Sequence, residues 1–342
     1  MVDTKNIAKR LKSLGMTKAD DVEDSTDLVS TGNCALDLIS DGGVPFGHVV
    51  EFLGFSQSGK SLFIQQLIAS AQKKYNAVGI LIDRENSYTV KRGEQLNINN
   101  DNLFLVKPDK CPTILDAFNI ILEGIRTIRE SSKEEYIVVA IDSISSFGKD
   151  VSLEKSDSGR RAKSTHEGLR EALTLMDNKI LLVVSNQFLY KIGIIYGDPR
   201  TSSSGEAMKY YSTVRVALED RHKIIDKSKG NEVVGNWIGA EVIKTRLGPS
   251  HRTCFIPHFY ETGIPYYGGY ARLLVNRGYL YPKNKTDFNK FDGKSVIYEK
   301  GDVKEQYMED NVEKMFEAHP ELLFTSYPEY NKEKQTKVEE EE

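Results

Sequence analysis

The chain has 342 residues, 39% of them hydrophobic, which is enough apolar content for one full-sized core and a smaller satellite. Its 46 basic and 50 acidic residues leave a net charge of −4, matched by the terminal run Glu339–Glu342, so nucleic-acid contact has to come from a local basic surface rather than the overall field. No apolar run reaches the length of a membrane span, the N-terminus lacks a signal-peptide core, and Cys34, Cys111 and Cys254 stand apart with no CxxC pair or histidine cluster. The expectation is a soluble, unexported protein with buried packing thiols and neither a disulfide framework nor a zinc site.

At the N-terminus Ile7, Leu11 and Leu14 recur at helical spacing among Lys9, Arg10 and Lys12, which predicts a short amphipathic helix over residues 5–14. It serves either its own core or a neighbouring molecule. From Val49 to Leu218, runs rich in Val and Ile (VVEFLG, GILID, LFLV, YIVVAID, ILLVVSN, TVRVAL) alternate with longer amphipathic stretches, the rhythm of an α/β domain with a largely parallel sheet. After Asp220 come polar turns and further strands (IGAEVIK, TCFIPHF), then a Gly/Tyr-rich region from Gly263, a helix near Val303–His319, and a charged tail. These shifts predict an arm over residues 1–27, a core over 28–262, a small C-terminal domain over 263–331 and a disordered acidic tail over 332–342. No internal repeat is present.

The segment Gly54-Phe55-Ser56-Gln57-Ser58-Gly59-Lys60-Ser61 fits GxxxxGK[ST] between a strand and the helix SLFIQQLIASAQ. Glycines at these positions let backbone N–H groups wrap phosphates at a helix N-terminus, Lys60 neutralises β/γ charge, and the Ser61 hydroxyl suits Mg²⁺. A second metal-holding carboxylate is expected, and Asp142 ends the apolar strand YIVVAID. Glu85, just past ILID, is the candidate for activating water, with Asp83 as its competitor. Asn186-Gln187, at the end of ILLVVSN, is a neutral amide pair suited to sensing a γ-phosphate.

Together these segments resemble the RecA family across about residues 28–285. The resemblance is carried by LVSTGNCALD, GGVPFGHVVEFLGFSQSGKS, LIDREN, IVVAIDS, NQFLYKIGIIYGDPRTSSSGEAMKYYSTVR and AEVIKTRLGPSH. It implies a RecA-like P-loop ATPase core with a mostly parallel twisted sheet, a short N-terminal helical arm and a small α+β C-terminal domain. It further implies that Lys60, Ser61 and Asp142 bind Mg²⁺ and ATP, that Glu85 activates water, and that Gln187 couples the γ-phosphate to an adjacent DNA loop. Lys244 and Arg246 match a pair of cations that reaches the neighbouring protomer's ATP site, where they would stabilise the transferring phosphoryl group.

The stretch Lys191–Ser204 resembles the second DNA-binding loop of that family; Lys191 supplies a phosphate contact, and Ile192, Ile194 and Ile195 supply apolar wedges between base steps. Arg200 and Lys209 complete its basic set. The first DNA loop is assigned loosely to Lys155–Lys163, a cationic stretch with Arg160, Arg161 and Lys163. Departures from the family pattern are Leu189 in place of a loop arginine, Arg200 in place of an acidic residue, and Arg92 and Thr89 where an aromatic ring and a carboxylate commonly hold adenine. Arg92 can stack on a π-face.

The function expected is an ATP-dependent recombinase that forms a homo-oligomeric helical filament on single-stranded DNA and pairs it with homologous duplex DNA. Its place would be the cytoplasm of a bacterium or a phage-infected host, with room for single-strand-binding and loader proteins. Two other readings stay open: a ring-forming RecA-fold helicase or motor, distinguished by closed rings in micrographs, and a non-catalytic DNA-binding regulator, distinguished by absence of phosphate release.

Overall fold

The computed structural model describes residues 11–14, 27–147, 157–190, 200–204, 206–282, 295–308 and 312–323; the side chains of residues 157–160, 190, 282 and 321 are not described. Residues 11–13 are helical, and residues 1–10 and 15–26 of the N-terminal arm, Lys155, Lys191, Ile192, Ile194, Ile195 and the acidic tail lie outside the described residues. The strands, in chain order, are β1 (Leu28–Val29), β2 (Val44–Pro45), β3 (Val49–Gly54), β4 (Val78–Asp83), β5 (Leu103–Val106), β6 (Ile137–Asp142) and β7 (Ile180–Tyr190). They continue with β8 (Arg200–Ser202), β9 (Val214–Asp226), β10 (Glu232–Thr245), β11 (Arg252–Phe259), β12 (Tyr281–Pro282), β13 (Ser295–Lys300) and β14 (Val303–Met308). The helices are α1 (Cys34–Ile39), α2 (Lys60–Tyr75), α3 (Val90–Gln95), α4 (Ile114–Ser131), α5 (Asp157–Leu175), α6 (Glu206–Tyr211), α7 (Tyr270–Asn276) and α8 (Val312–Ala318).

Nine strands form one sheet in the order β11-β10-β9-β3-β7-β6-β4-β5, with β8 paired to β7. From β9 to β5 neighbours run parallel; β10 and β11 add antiparallel. The continuous apolar runs follow from this arrangement, because helices cover both faces of the parallel part. Along β6, Val138 and Ala140 join the core beneath α2, while Ile137, Val139 and Ile141 join the core beneath α4. On α2, Phe63, Ile64, Leu67, Ile68 and Ala71 are fully buried, each large side chain removing roughly 1.5–3 kcal/mol worth of apolar surface from water. On α4, Ile114, Ala117, Phe118, Ile121, Leu122 and Ile125 make the buried stripe, and the helix starts at a capping box of Thr113 and Asp116. All three cysteines are buried and free. Among the described residues no helix is long and apolar enough to cross a membrane.

Three expectations need correction. Val303–Met308 is a strand, not the start of a helix: Gly301 and Asp302 form a two-residue hairpin loop with Gly301 at φ 59°, and β14 pairs with β13 from Val303 through Met308. A leading loop glycine with positive φ favours the tight turn that returns the chain antiparallel. The helix in this region is confined to Val312–Ala318. The supposed first DNA loop is helical from Asp157, so Arg160, Arg161 and Lys163 lie on α5. That helix is held by Thr165, Gly168, Leu169 and Ala172, a buried stripe packed against α4, and its polar first turns extend it. Finally, β7 does not stop at Asn186-Gln187; it continues to Tyr190, pairing Phe188, Leu189 and Tyr190 with Ser202, Thr201 and Arg200.

The C-terminal part holds β12-β13-β14 as a separate three-stranded antiparallel sheet. Its apolar residues are continuous with the main core: Tyr270 and Phe316 are fully buried, ring centroids 5.1 Å apart, and the Tyr270 hydroxyl donates to the Leu322 carbonyl at 2.7 Å.

Candidate functional site

The loop between β3 and α2 can take its shape only with glycine at two places. A Cβ on Gly54 would lie 2.1 Å from Ser58 Oγ and 2.6 Å from the Leu218 carbonyl, and Gly59, at φ 92°, would bring a Cβ within 2.7 Å of Ile238. Gly59 is the N-cap of α2 and contributes no side-chain cap, so the first N–H groups of the helix remain open to an anion. Ser58 Oγ is buried with no hydrogen-bond partner among the described residues, an orphan polar atom in the bend of the loop. Lys60 is buried and its Nζ donates to the Phe55 carbonyl at 2.7 Å. Burial lowers the Lys60 pKa, opposed by the negative charges of Glu85 and Asp142.

These two carboxylates come from the ends of β4 and β6, adjacent parallel strands in which Asp83 and Asp142 are paired. Asp142 is buried and accepts from Ser185 Oγ at 2.6 Å and Ser87 Oγ at 3.1 Å. Burial raises its pKa; the hydroxyls of Ser185, Ser61 and Ser87 lower it, and Glu85 adds to the rise. Ser61 and Asp142 thus stand together as hydroxyl and carboxylate, an oxygen-donor pair that fits Mg²⁺, which keeps several waters and binds through few protein ligands. The orphan Ser58 Oγ, the uncapped helix start and this donor pair fit a nucleoside triphosphate with its metal.

The structure separates the two candidate bases. Asp83 spends both oxygens on the turn after it, accepting from the Ser87 N–H at 3.0 Å and the Tyr88 N–H at 2.9 Å. Glu85 lines the cleft; its Oε1 accepts from Ser143 Oγ and Ser146 Oγ, each at 2.7 Å. The amide pair is separated as well. Asn186 is fully buried, donating to Glu51 Oε1 at 2.7 Å and accepting from Ser203 Oγ at 2.6 Å, beside the buried Glu51–Arg215 ion pair at 2.5 Å. Gln187 faces the cleft.

The cleft itself measures about 380 Å³ and is lined by Ser56 to Leu62, Glu85 and Gln187, together with Asp220, Lys223, Asn236, His258 and Tyr260. These last five escaped sequence reasoning, because they belong to antiparallel strands, or follow one, and only the register brings them to one place: Asn236 lies opposite His258 in β11 and Lys223 in β9. Arg92 sits half-buried on α3 outside that lining, close enough to His258 to act on its charge. Thr89 Oγ1 caps α3, accepting from the Arg92 N–H at 3.2 Å.

Of the basic residues proposed to touch DNA, Arg161 donates to the Phe147 carbonyl at 3.3 Å, and Lys163 lies on α5 beside the start of α6, where Glu206 pairs with Lys209 at 2.7 Å. Arg200 on β8 lies 5.2 Å from the Phe188 ring centroid, and Phe188 lies 5.6 Å from Phe55 of the glycine-rich loop. The backbone of Arg160 is in α5, its side chain not described. Lys244 and Arg246 are away from the cleft: Lys244 Nζ donates to the Lys209 carbonyl at 2.5 Å and Arg246 to the Tyr210 carbonyl at 2.9 Å, so two cations close the C-terminal end of α6.

A family model, the RecA N-terminal domain, matches residues 3–265. Protein RecA of Gluconobacter oxydans is 31% identical over 303 residues, covering 87% of this chain and 81% of its own. Protein RecA of Nitratiruptor sp. is also 31% identical over 303 residues, with 86% and 80% covered. Protein RecA of Methylococcus capsulatus is 28% identical over 302 residues, with 86% and 80% covered.

Proposed function

The chain belongs to the RecA family, and from that premise we propose that it is an ATP-driven DNA recombinase, assembling as a filament on single-stranded DNA and pairing it with homologous duplex. The observation that carries this reading is the convergence of Lys60, Ser61, Asp142, Glu85 and Gln187 on one cleft whose wall, β7, runs directly into the segment proposed to hold DNA.

When bound, ATP would supply the transferable phosphoryl group and Mg²⁺ would offset its charge. The α2 N–H groups and Lys60 take the phosphates, while Ser61 and Asp142 hold the metal. Gly54, Ser56, Gln57, Ser58 and Gly59 wrap the chain around them. Glu85, its Oε1 fixed by Ser143 and Ser146, takes the proton of the attacking water. Gln187 offers an amide to the γ-phosphate, and two links lead from there towards DNA: the continuous backbone of β7, and the contacts of Phe55 with Phe188 and of Phe188 with Arg200. Arg160, Arg161, Lys163, Lys191, Ile192, Arg200 and Lys209 are proposed as the DNA-contacting set, and Lys244 and Arg246 as cations donated to the next protomer's site.

Strand exchange between circular single-stranded and linear duplex DNA tests the reading. Joint molecules should form with ATP and Mg²⁺ and be absent without nucleotide; no exchange under any nucleotide condition, with DNA and ATP both bound, would remove the recombinase assignment.

A further inference from the structure

Sheet order divides the cleft into two ends. On one side of β3, β7 delivers Gln187 to the lining and Glu85 follows the end of β4, with the buried Asp142 of β6 behind them; on the other, β9, β10 and β11 deliver Asp220, Asn236 and His258, with Tyr260 immediately after β11. If phosphates lie at the start of α2 against Lys60 and Ser61, the second end is left for the nucleoside. A base-reading group at that end therefore rests on the cleft being a nucleotide site.

Asp220, Asn236 and His258 form a chain with a fixed direction at this end, with Lys223 Nζ 3.4 Å from the other oxygen of Asp220. Asn236 Nδ2 donates to Asp220 Oδ1 at 2.5 Å. A carboxylate only accepts, so this contact orients the amide and turns its oxygen towards the imidazole, where Asn236 Oδ1 lies 3.0 Å from His258 Nδ1. An amide oxygen also only accepts, so the imidazole proton sits on Nδ1 and Nε2 is left as a bare acceptor. Burial and the nearby Arg92 guanidinium both lower the His258 pKa, with Asp220 opposing, which favours the neutral ring. Beside it the Tyr260 ring stands edge-on, centroids 5.7 Å apart, an aromatic flank for a planar base.

We propose that His258 reads the base of the nucleotide: its Nε2 accepts a hydrogen bond from the exocyclic 6-amino group of adenine and disfavours 6-oxopurines, whose oxygen would meet it acceptor to acceptor. Asn236 and Asp220 are positioning residues that hold the ring in the accepting tautomer. The device occupies the end of the cleft where Arg92 stands outside the lining and Thr89 is committed to capping α3.

The test uses the full chain with Mg²⁺ and trinitrophenyl-ATP, labelled on the ribose, displaced in turn by ATP, purine riboside triphosphate, ITP and inorganic tripolyphosphate. ATP should displace the probe at about tenfold lower concentration than ITP, with the purine analogue between them, as expected for one hydrogen bond gained against one acceptor left unpaired. His258→Leu and Asn236→Leu should each bring ATP and ITP within about twofold while leaving tripolyphosphate unchanged. Equal displacement by ATP and ITP in the wild type, or a tenfold preference kept in His258→Leu, overturns the assignment and leaves the nucleotide site standing. The wild-type series decides the point alone where a variant does not fold. A probe that does not bind, or that no triphosphate displaces, removes the nucleotide site itself and this inference with it.

Discussion

On the parallel side of β3, the cleft's carboxylates are pinned by hydroxyls: Asp142 by Ser185 and Ser87, and Glu85 by Ser143 and Ser146. On the antiparallel side the links run between amide, carboxylate and imidazole instead, Asn236 to Asp220 at 2.5 Å and to His258 at 3.0 Å, and the β9–β10 register slips beside Asn236. Short parallel strands that end together place several side chains with little freedom, as transition-state stabilisation requires. A bulge in an antiparallel strand re-aims the side chain beside it, which suits the recognition of a base. On the proposed reading, chemistry and selectivity would rest on the parallel and antiparallel parts of one sheet, joined at β3 and β9.

Substitutions on the two sides should accordingly differ in kind. The largest effect is expected from Lys60→Ala, which should reduce ATP turnover to background in a phosphate-release assay by leaving phosphate charge uncompensated. Near-normal turnover would break the assignment of the parallel side. Next, Glu85→Gln should slow hydrolysis by about 10² or more with nucleotide binding retained. Asp83→Asn should act on stability instead, since Asp83 serves two backbone N–H groups; a cost of roughly 1–3 kcal/mol should appear in denaturant titration. If the two variants exchange phenotypes, the wrong carboxylate has been placed in the chemistry.

Lys244 and Arg246 test whether the antiparallel side serves only its own cleft. The Lys244→Ala/Arg246→Ala double variant should be inactive as an ATPase while still polymerising on DNA by light scattering. Mixed equally with Lys60→Ala, it should recover about a quarter of wild-type activity, because about that share of head-to-tail interfaces joins two intact halves. No rescue in filaments containing both proteins, together with a lowered melting temperature of the double variant, would leave these cations only their visible task of closing α6.

The smallest effect concerns pH. Burial lowers the pKa of both His48 and His258, helped by Arg246 at the first and Arg92 at the second. A histidine whose folded pKa is lowered takes its proton first in the unfolded chain. Its full contribution to stability is therefore present above the unfolded value, near ~6.5, and is lost as pH falls towards the folded value. Between about pH 7.5 and 5.5 the thermal midpoint should fall less in His258→Gln than in the wild type; equal slopes would show that this imidazole titrates alike in both states.

The apolar strands and the glycine-rich loop were legible because each announces itself within a few neighbouring residues: continuous Val/Ile runs for a sheet covered on both faces, and GxxxxGK[ST] at a helix start. The first turns of α5 were not, since Gly159, Arg160 and Arg161 carry no apolar periodicity and the helix is held further along by Leu169 and Ala172. Strand β14 was missed because VKEQYM is mostly polar and takes its conformation from the hairpin at Gly301. Asp220, Asn236 and His258 were invisible for a different reason: no local pattern encodes the register that sets three strands side by side.

Strand β7 passes from the core through Gln187 to Tyr190 without a break, pairing with β3 up to Gln187 and with β8 immediately afterwards. Eleven residues at roughly 3.3 Å each make a rod about 36 Å long. Over its hydrogen-bonded length such a rod has no loop between the cleft and the β8 pairing to dissipate a displacement. The coupling that the RecA resemblance implies between Gln187 and the segment after β7 would therefore run along backbone that is paired at every residue from Leu182 to Tyr190, first to β3 and then to β8.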